Sequence, residues 1–345
     1  MPVGGATIEF VRGALDERRS EQILGFWARM GELDDEAARE RLDQVACVAL
    51  DEAGEIVGVN SVREQDVGLV GLRFWAYRSL LSARDDKVSS AMFKTAFEGL
   101  EERFDPDGSG PVGLCMTVAD RAELERRPEV FWPEEELMFA GYLADGRQLR
   151  IRYFWRAEAE PGLPNSPTQD VALRTDYSIG DRYRVEPYTG DAAVADAILA
   201  MWARERVVPE PEAKRRVHEA LNVVIDRDEG VVAVSTAYLQ RNPQLRLDLW
   251  YFRTFVASAH RHTHVATQLT FHNRDLLEQR YTSGEDTRAA GVIFELENEG
   301  MRKYFNKAIW EPADFTFIGN NERGVPVRVH YFPGARAPLP QRAAG

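Results

Sequence analysis

Two stretches of equal length decide the fold: GLCMTVADRAELERRPEVFWPEEELMFAGYLADGRQLRIRYF at 113–154 and GVIFELENEGMRKYFNKAIWEPADFTFIGNNERGVPVRVHYF at 291–332. They align without a gap and share glycines, aromatic residues and an arginine at matched positions. A long-period match in order, spacing and residue type indicates an internal duplication. The identical pairs are Gly113/Gly291, Trp132/Trp310, Phe139/Phe317, Gly141/Gly319, Gly146/Gly324, Arg150/Arg328, Tyr153/Tyr331 and Phe154/Phe332.

The match continues toward the N-terminus at an offset of 175 positions, where IL and WAR motifs recur at Ile23 and Trp27 and again at Ile198 and Trp202. Between the halves, residues 158–182 are polar and carry three prolines, which is typical of a linker. The sequence therefore predicts two domains, at 1–157 and 183–345.

Each half has the same pattern of predicted elements. A short strand leads into a helix that carries the repeated tryptophan, and a second helix follows. Then come three strands, a helix, a strand, a shorter helix and a closing hairpin, as judged from apolar periodicity and turn residues. The predicted fold class is α/β (α+β): two tandem domains, each with a mixed, mostly antiparallel sheet flanked by helices.

This order of elements resembles the GNAT N-acetyltransferase superfamily in both halves. In that family the fourth strand ends in a loop that opens a helix, and backbone N–H groups there hold the pyrophosphate of acetyl-CoA. Free amides at the positive end of a helix dipole suit an anion. The resemblance implies an acetyl-CoA or other acyl-CoA co-substrate.

In the second half the corresponding stretch runs from the end of the fourth strand into the next helix. Arg261 fits the family's Gln/Arg position and Ala266 fits its small residue, whereas His262 and His264 replace the two inner glycines. Asn298 fits the Asn that ends the family's fifth strand. The resemblance assigns acyl-CoA binding to Phe255, Val256, Arg261, His262, Thr263, His264, Val265, Ala266 and Asn298.

The first half departs further from the pattern. Its loop, at 84–89, carries Asp85 and Asp86, and carboxylates close to a pyrophosphate are costly. Asp120 and Arg127 replace the family's Asn and Tyr. We therefore expect a degenerate first domain that does not bind CoA in the family manner and that supports the fold or shapes the substrate cleft.

Acyl transfer to an amine needs a base for the nucleophile and an acid for the leaving thiolate. Asp248 on the fourth strand is one candidate base, against the alternative of a solvated carboxylate. Glu295 on the fifth strand is another, against an ion pair or a solvated face. Tyr304 is the candidate acid, because Phe305 takes the family's usual Tyr position; its alternative is a packing aromatic.

Other residues have two interpretations each. Arg78 and Arg253 occupy equivalent strand positions and predict either a salt bridge with a carboxylate or an anchor for an anionic substrate. His260, His262 and His264 predict exposed loop residues or phosphate contacts rather than a metal site, since no cysteine or tight carboxylate cluster accompanies them. Cys47 and Cys115 lie in apolar runs and predict buried packing.

Composition limits the possible functions. The formal net charge is -13, and hydrophobic residues make up 44% of the chain, as in ordinary globular proteins. A nucleic-acid partner is not expected, because it requires clustered cations. No apolar run approaches the length of a membrane span, and no signal peptide is visible, so we expect a cytoplasmic protein. A homodimer is a separate expectation.

The sequence thus favours an acyl-CoA-dependent N-acyltransferase, with direct transfer to an amine of a small molecule or amino-acid-like substrate in a ternary complex. One alternative is a non-catalytic GNAT-like module that binds a ligand or protein. The other is acyl transfer from a carrier protein. A fold alone does not decide between them.

Overall fold

The computed structural model describes residues 4–31, 33–160, 163, 179–261 and 263–340; the side chains of Tyr304 and Pro312 are outside this description. The chain divides into two compact units, Met1–Gly162 with Leu339–Gly345, and Leu163–Pro338. Most of the predicted linker lies outside the described residues. The unit bounds differ from the predicted domains at the C-terminus, where Leu339 packs against the core of the first unit.

The first unit contains four helices and eight strands among its described residues. In chain order they are β1 (Thr7–Phe10), α1 (Glu17–Met30), α2 (Asp35–Arg41), β2 (Val45–Leu50), β3 (Ile56–Val67), β4 (Leu72–Leu81), α3 (Asp86–Glu101), β5 (Gly113–Val118), α4 (Arg121–Arg126), β6 (Phe131–Trp132), β7 (Leu137–Tyr142) and β8 (Gln148–Tyr153).

The second unit repeats the series. Its elements are β9 (Tyr183–Pro187), α5 (Ala192–Glu205), α6 (Glu210–Arg216), β10 (Ala220–Asp226), β11 (Gly230–Asn242), β12 (Leu247–Val256), α7 (Val265–Thr282), β13 (Gly291–Glu295), α8 (Glu299–Tyr304), β14 (Ile309–Trp310), β15 (Phe315–Asn320) and β16 (Pro326–Tyr331).

Both units build one sheet with the same strand order. The first is β1-β2-β3-β4-β5-β8-β7-β6, and the second, written from β9, is β9-β10-β11-β12-β13-β16-β15-β14. Neighbouring strands are antiparallel except β4 with β5 and β12 with β13, which are parallel. This arrangement confirms the predicted fold class, two tandem domains that each have a mixed, mostly antiparallel sheet flanked by helices.

Helices cover both faces of each sheet because the strands alternate apolar side chains between the faces. In the first unit, Trp27 of α1 packs with Val59 of β3 on one face. Phe93 of α3 packs with Tyr77 of β4 on the other. We name these the α1 face and the α3 face. The matching faces of the second unit are the α5 face and the α7 face.

The parallel contact is short in both units. Among the described residues, β4 and β5 pair only at Trp75 with Leu114 and at Ala76 with Cys115. The second unit has the equivalent two pairs, between 250–251 and 292–293. Beyond these pairs the two strands continue without pairing to each other, so the sheet has a gap at its centre. We call this gap the splay.

The residues identical in both halves have defined structural roles. Gly113 and Gly291 lie where the neighbouring strand approaches closely: a Cβ atom would stand 2.1 Å from the Arg152 carbonyl oxygen and 2.2 Å from that of His330. Gly141 and Gly319 adopt φ values of 129° and 123° at a bulge in the closing hairpin. Such φ values favour glycine.

The shared arginines are buried, with Arg150 0% and Arg328 1% exposed. Arg150 donates to the Glu129 carbonyl oxygen at 2.8 Å, and its guanidinium lies 3.7 Å from the centre of the Trp132 ring. Arg328 donates to the carbonyl oxygens of Ala308 and Phe305. Each arginine thereby ties the segment after the short helix to the last strand of the sheet.

Candidate functional site

The candidate site of the second unit begins where β12 ends and α7 starts. A 3-10 turn at Ser258–His260 reverses the chain, and His264 then forms the N-cap of α7. His264 has a φ of 55° and gives the helix no side-chain capping hydrogen bond. The first N–H groups of this 18-residue helix therefore receive no acceptor from the cap residue.

Arg261 lies beside the end of the strand. Its Nε atom donates to the Val256 carbonyl oxygen at 3.3 Å, and the side chain is exposed. Thr263 follows, with its hydroxyl donating to the His260 carbonyl oxygen at 2.5 Å. The structure thus brings Arg261 to the region where Val256, Val265 and Ala266 lie. The predicted residue His262 lies outside the described residues.

His260 holds this loop in place. It is 2% exposed, and its two ring nitrogens lie 3.1 Å from the Tyr183 hydroxyl and 3.3 Å from the Glu229 carboxylate. This histidine was predicted to be an exposed loop residue or to contact phosphate or substrate, and the prediction of exposure is wrong, because the side chain is buried. The physical reason is its two polar partners, which satisfy both nitrogens on burial.

Glu295 lies at the splay, as the last residue of β13. Its carboxylate pairs with Arg323 at 2.7 Å. Tyr251 pairs with Ile293, two residues before Glu295, so the Tyr251 and Glu295 side chains lie on the same face of the sheet. Burial raises the pKa of Tyr251, and the charge of Glu295 also raises it. The Asn242 amide donates to the Tyr251 hydroxyl at 2.9 Å. Glu295 therefore lies among polar groups beside the gap.

Asp248 lies at the other end of β12. It is half exposed and pairs with Arg241 at 3.5 Å. Eight residues of strand separate it from Val256, a distance of roughly 26 Å at about 3.3 Å per residue. The structure does not bring Asp248 to the splay or to Arg261, because the gap opens toward the carboxyl ends of the parallel strands. Its role as a base stays a prediction that this placement does not support.

The second predicted signature forms the start of α8. The Asn298 side chain caps this helix by accepting from the Met301 N–H at 3.1 Å. Phe305, at the family's Tyr position, is buried with its ring 4.3 Å from that of Trp310. The side chain of Tyr304 is outside the described part of the structure. Phe255, assigned to cofactor binding, packs on the α5 face.

Aromatic rings occupy the α7 side of the second unit's splay. Phe252 of β12 and Phe294 of β13 face each other across the gap, with ring centres 5.5 Å apart. Phe315 lies 4.8 Å from Phe294. A thioester that passed between the strands would have to displace at least one of these rings.

The first unit has an open cleft at the equivalent place. Its volume is about 410 Å³, and its apolar lining includes Tyr77, Phe93, Met116 and Trp132. Tyr77 and Met116 stand at the repeat positions of Phe252 and Phe294. Methionine at the second position leaves space that a phenylalanine ring fills in the second unit. This cleft was not predicted.

Charges of the chain itself occupy the mouth of that cleft. The Asp85 carboxylate caps α3 by accepting from the N–H groups of Lys87 at 2.9 Å and Val88 at 3.1 Å. Arg126 pairs with Asp86 at 2.6 Å. Further ion pairs join Arg84 to Glu123 and Arg127 to Glu135. The helix end that would receive a phosphate in the family already carries a carboxylate.

The sequence analysis singled out Arg78 but not the arginines near it on the α1 face of the first unit, at positions 41, 63 and 147. A comparison of charges at matched repeat positions would have found them, as shown below. No helix among the described residues has both the length and the apolar character needed to cross a membrane.

No protein-family model and no curated protein matches the chain. Solved structures do. A ribosomal-protein-S5-alanine acetyltransferase from Vibrio fischeri is 12% identical, with 45% of this chain and 96% of that chain covered and a TM-score of 0.33. A GNAT family acetyltransferase from Brucella melitensis, solved with acetyl-CoA, is 13% identical over 46% and 93%, with a TM-score of 0.29. A glucosamine N-acetyltransferase region of a fungal multi-domain protein is 12% identical over 81% and 35%, with a TM-score of 0.28.

Proposed function

We propose that this protein is an acyl-CoA-dependent N-acyltransferase, and that its second unit holds the acyl-CoA at the loop between β12 and α7. One observation carries the proposal: the cap residue of α7 supplies no acceptor, whereas Asp85 supplies one at the same place in the first unit. The acceptor substrate would be an amine of a small molecule or an amino-acid-like compound.

The chemistry of the loop suits a pyrophosphate. The backbone N–H groups at the start of α7 receive no side-chain acceptor from the cap residue and coincide with the positive end of the helix dipole, where anions are stabilised. Arg261 is exposed beside them and offers a guanidinium that can bind phosphate oxygens in a bidentate manner. Thr263 and Ala266 complete the predicted contact set, and His262 and His264 would take part through their backbone.

Direct transfer in a ternary complex needs no nucleophilic side chain. The edge of β12 beyond Tyr251 is unpaired toward β13, so its N–H groups are available to polarise the thioester carbonyl. Glu295, at the splay, is the base candidate favoured by position. Tyr304 stays the predicted acid, which would return a proton to the leaving thiolate.

The test is a calorimetric titration of the full chain with acetyl-CoA, longer acyl-CoAs and free CoA. We expect saturable binding that Arg261→Glu weakens at least tenfold, since the change reverses a charge at the phosphates. Arg84→Glu, in the corresponding loop of the first unit, is the matched control and should leave binding unchanged. Loss with Arg84→Glu alone would move the site to the first unit.

A second candidate function rests on the phenylalanine rings. Phe252 and Phe294 close the splay on the α7 side, which favours a non-catalytic module that binds a ligand or protein elsewhere. Phe294→Met, which copies the first unit, separates the two functions. If the enzyme needs the gap, this variant retains or increases thiol release from acyl-CoA with an amine acceptor. If neither the native protein nor the variant binds any CoA species, the acyltransferase proposal is wrong.

A further inference from the structure

Arginine side chains lie on the α1 face of the first unit, beside the splay. Ala76 pairs with Cys115, so Arg78 stands level with Thr117, and Arg147 donates to the Thr117 hydroxyl at 3.2 Å. Arg78 of β4 and Arg63 of β3 share this face, because Arg63 pairs with Ala76, two residues before Arg78. Burial lowers the pKa of Arg78, and the neighbouring guanidinium groups of Arg63, Arg41 and Arg147 lower it further. We call these four residues the arginine cluster.

The cluster has little internal compensation. Arg147 pairs with Asp145 at 2.6 Å and also donates to the Thr117 hydroxyl at 3.2 Å. Across the part of the chain that the structure describes, Arg41, Arg63 and Arg78 have no carboxylate within ion-pair distance. Among the described residues these three positive charges therefore have no carboxylate partner, and Arg63 donates instead to the Gln65 side-chain oxygen at 3.4 Å.

In the second unit, the arginine at the matched position has a carboxylate partner. There Arg253, the counterpart of Arg78, lies 3.4 Å from the Glu219 carboxylate and 4.1 Å from the centre of the Tyr238 ring. At an offset of 175 the first unit has Gln44 in place of Glu219 and Arg63 in place of Tyr238. A carboxylate has been lost and a cation gained around the same arginine.

The same change recurs at other positions of this face. Arg216 pairs with Glu212 at 2.5 Å, but their counterparts are Arg41 and an alanine, Ala37. At an offset of 178, Thr117 replaces Glu295. Arg147 likewise replaces a valine, Val325. Relative to the second unit, three carboxylates are thus absent from this face and two arginines are added. In the opposite sense, Glu40 replaces Arg215 and Asp145 replaces Arg323, so over these matched positions the first unit carries one more net positive charge.

Clustered like charges repel one another, and a bound oxyanion would offset that repulsion. Guanidinium groups bind oxyanions with paired N–H donors. The cluster lies next to the splay, because Thr117, the acceptor for Arg147, also lines the 410 Å³ cleft. An anion at the cluster would therefore sit at one opening of that cleft.

We propose that the arginine cluster is a binding site for a multiply charged oxyanion, the phosphate group of a small phosphorylated molecule. Arg63 and Arg78 would hold the phosphate between them, Arg147 would contact it from the Thr117 side, and Arg41 from the end of α2. The remainder of the molecule would extend toward the cleft. The site is independent of the acyl-CoA site, which lies in the other unit.

The test is a calorimetric titration of the full chain with inorganic phosphate at low ionic strength, with acetate and citrate as further arms. We expect saturable binding of phosphate, weakened at least tenfold in Arg78→Gln and in Arg63→Gln, because each removes one charged donor. Arg73→Gln is the matched control on β4. This arginine is paired with Asp66 at 2.9 Å, and its loss should not alter binding.

A gain of a carboxylate gives the sharper test. Gln44→Glu restores the residue found in the second unit, and we expect it to abolish phosphate binding without lowering the melting temperature. Arg261→Glu should leave this binding unchanged, which separates it from the proposed acyl-CoA site. Absence of saturable phosphate binding, equal loss in Arg73→Gln, or preference for citrate over phosphate would each overturn the proposal.

Discussion

At single positions, Gly113 and Gly291 show what limits substitution in this fold. The neighbouring strand brings a carbonyl oxygen to within 2.1 and 2.2 Å of where a Cβ atom would stand. Rotating a side chain cannot relieve this contact. The Cβ atom is attached directly to the backbone, and the atom that it would meet is a backbone carbonyl oxygen. Substitution of Arg150 and Arg328 is limited for a different reason. Each guanidinium is buried and donates to backbone carbonyl oxygens, which would lose their hydrogen-bond donor if the arginine were replaced.

We expect Gly113→Ala to lower the free energy of unfolding of the first unit by about 1–3 kcal/mol, the range for forced overpacking. Gly25→Ala is the matched control. Gly25 is exposed within α1, and a Cβ atom there meets nothing within 4 Å. Alanine at 25 should stabilise by about 0.5–1 kcal/mol. Urea unfolding measures both; equal effects would contradict the explanation.

The two cysteines should not react in the folded protein. Burial raises the pKa of both Cys47 and Cys115 to about 12. Thiolate is the reactive form, so little of it exists near neutral pH. We expect labelling by a disulfide reagent at pH 8 to proceed only as fast as unfolding. Fast labelling of native protein would show that one thiol is accessible.

At the scale of elements, the closing hairpins of the two units carry different cationic residues at one matched position. His330 of β16 lies 2.7 Å from the Glu278 carboxylate of α7 and 3.0 Å from the Asp314 carbonyl oxygen. Its counterpart in the first unit is Arg152, which pairs with Glu136 at 2.8 Å. Burial favours the neutral form of His330, but hydrogen bonds with Asp314 and Glu278 outweigh it and raise the pKa.

The stability of the second unit should therefore depend on pH. A histidine pKa raised by folding contributes stability that is fully present below the unfolded pKa of about 6.5 and is lost as pH rises through the folded value. We expect His330→Gln to destabilise the second unit at about pH 6 and to have a smaller effect at about pH 9. Arg152→Gln, the control, should show no such difference over that range. Thermal unfolding across pH tests both.

The sequence predicted the order of strands and the duplicated sheet because apolar alternation and repeated glycines are local signals. The sequence did not predict which residues of different strands and loops lie close together in space. Asp248 was a candidate base because it lies on the predicted fourth strand, yet strand direction places it at the far end of β12 from Arg261. The contact of Phe252 with Phe294 depends on two strands distant in sequence, which periodicity does not report.

At the scale of the whole chain, each unit has apolar clusters of its own, one group around Phe93 and Trp132 and another around Trp202 and Phe315. Units with separate cores need not unfold together. The duplication alone was sufficient to predict two domains. The predicted boundaries 1–157 and 183–345 stay a prediction, since residues that would fix the connection lie outside the described part.

We expect calorimetry to resolve two transitions, with Gly113→Ala lowering one and His330→Gln lowering the other. The physical reason is that each substitution acts within a different core. A single transition shifted equally by both variants would show that the units unfold as one cooperative body. The arginine cluster adds a further readout, because phosphate should raise only the transition that Gly113→Ala lowers.

Asp85 has a consequence for how the two helix ends respond to their surroundings. An acceptor attached to the chain is present at every protein concentration and cannot be diluted, exchanged or consumed. An acceptor supplied from solution occupies its site only according to mass action. On the proposed function, α3 is therefore permanently saturated, whereas the start of α7 is filled in proportion to the metabolic supply of its ligand.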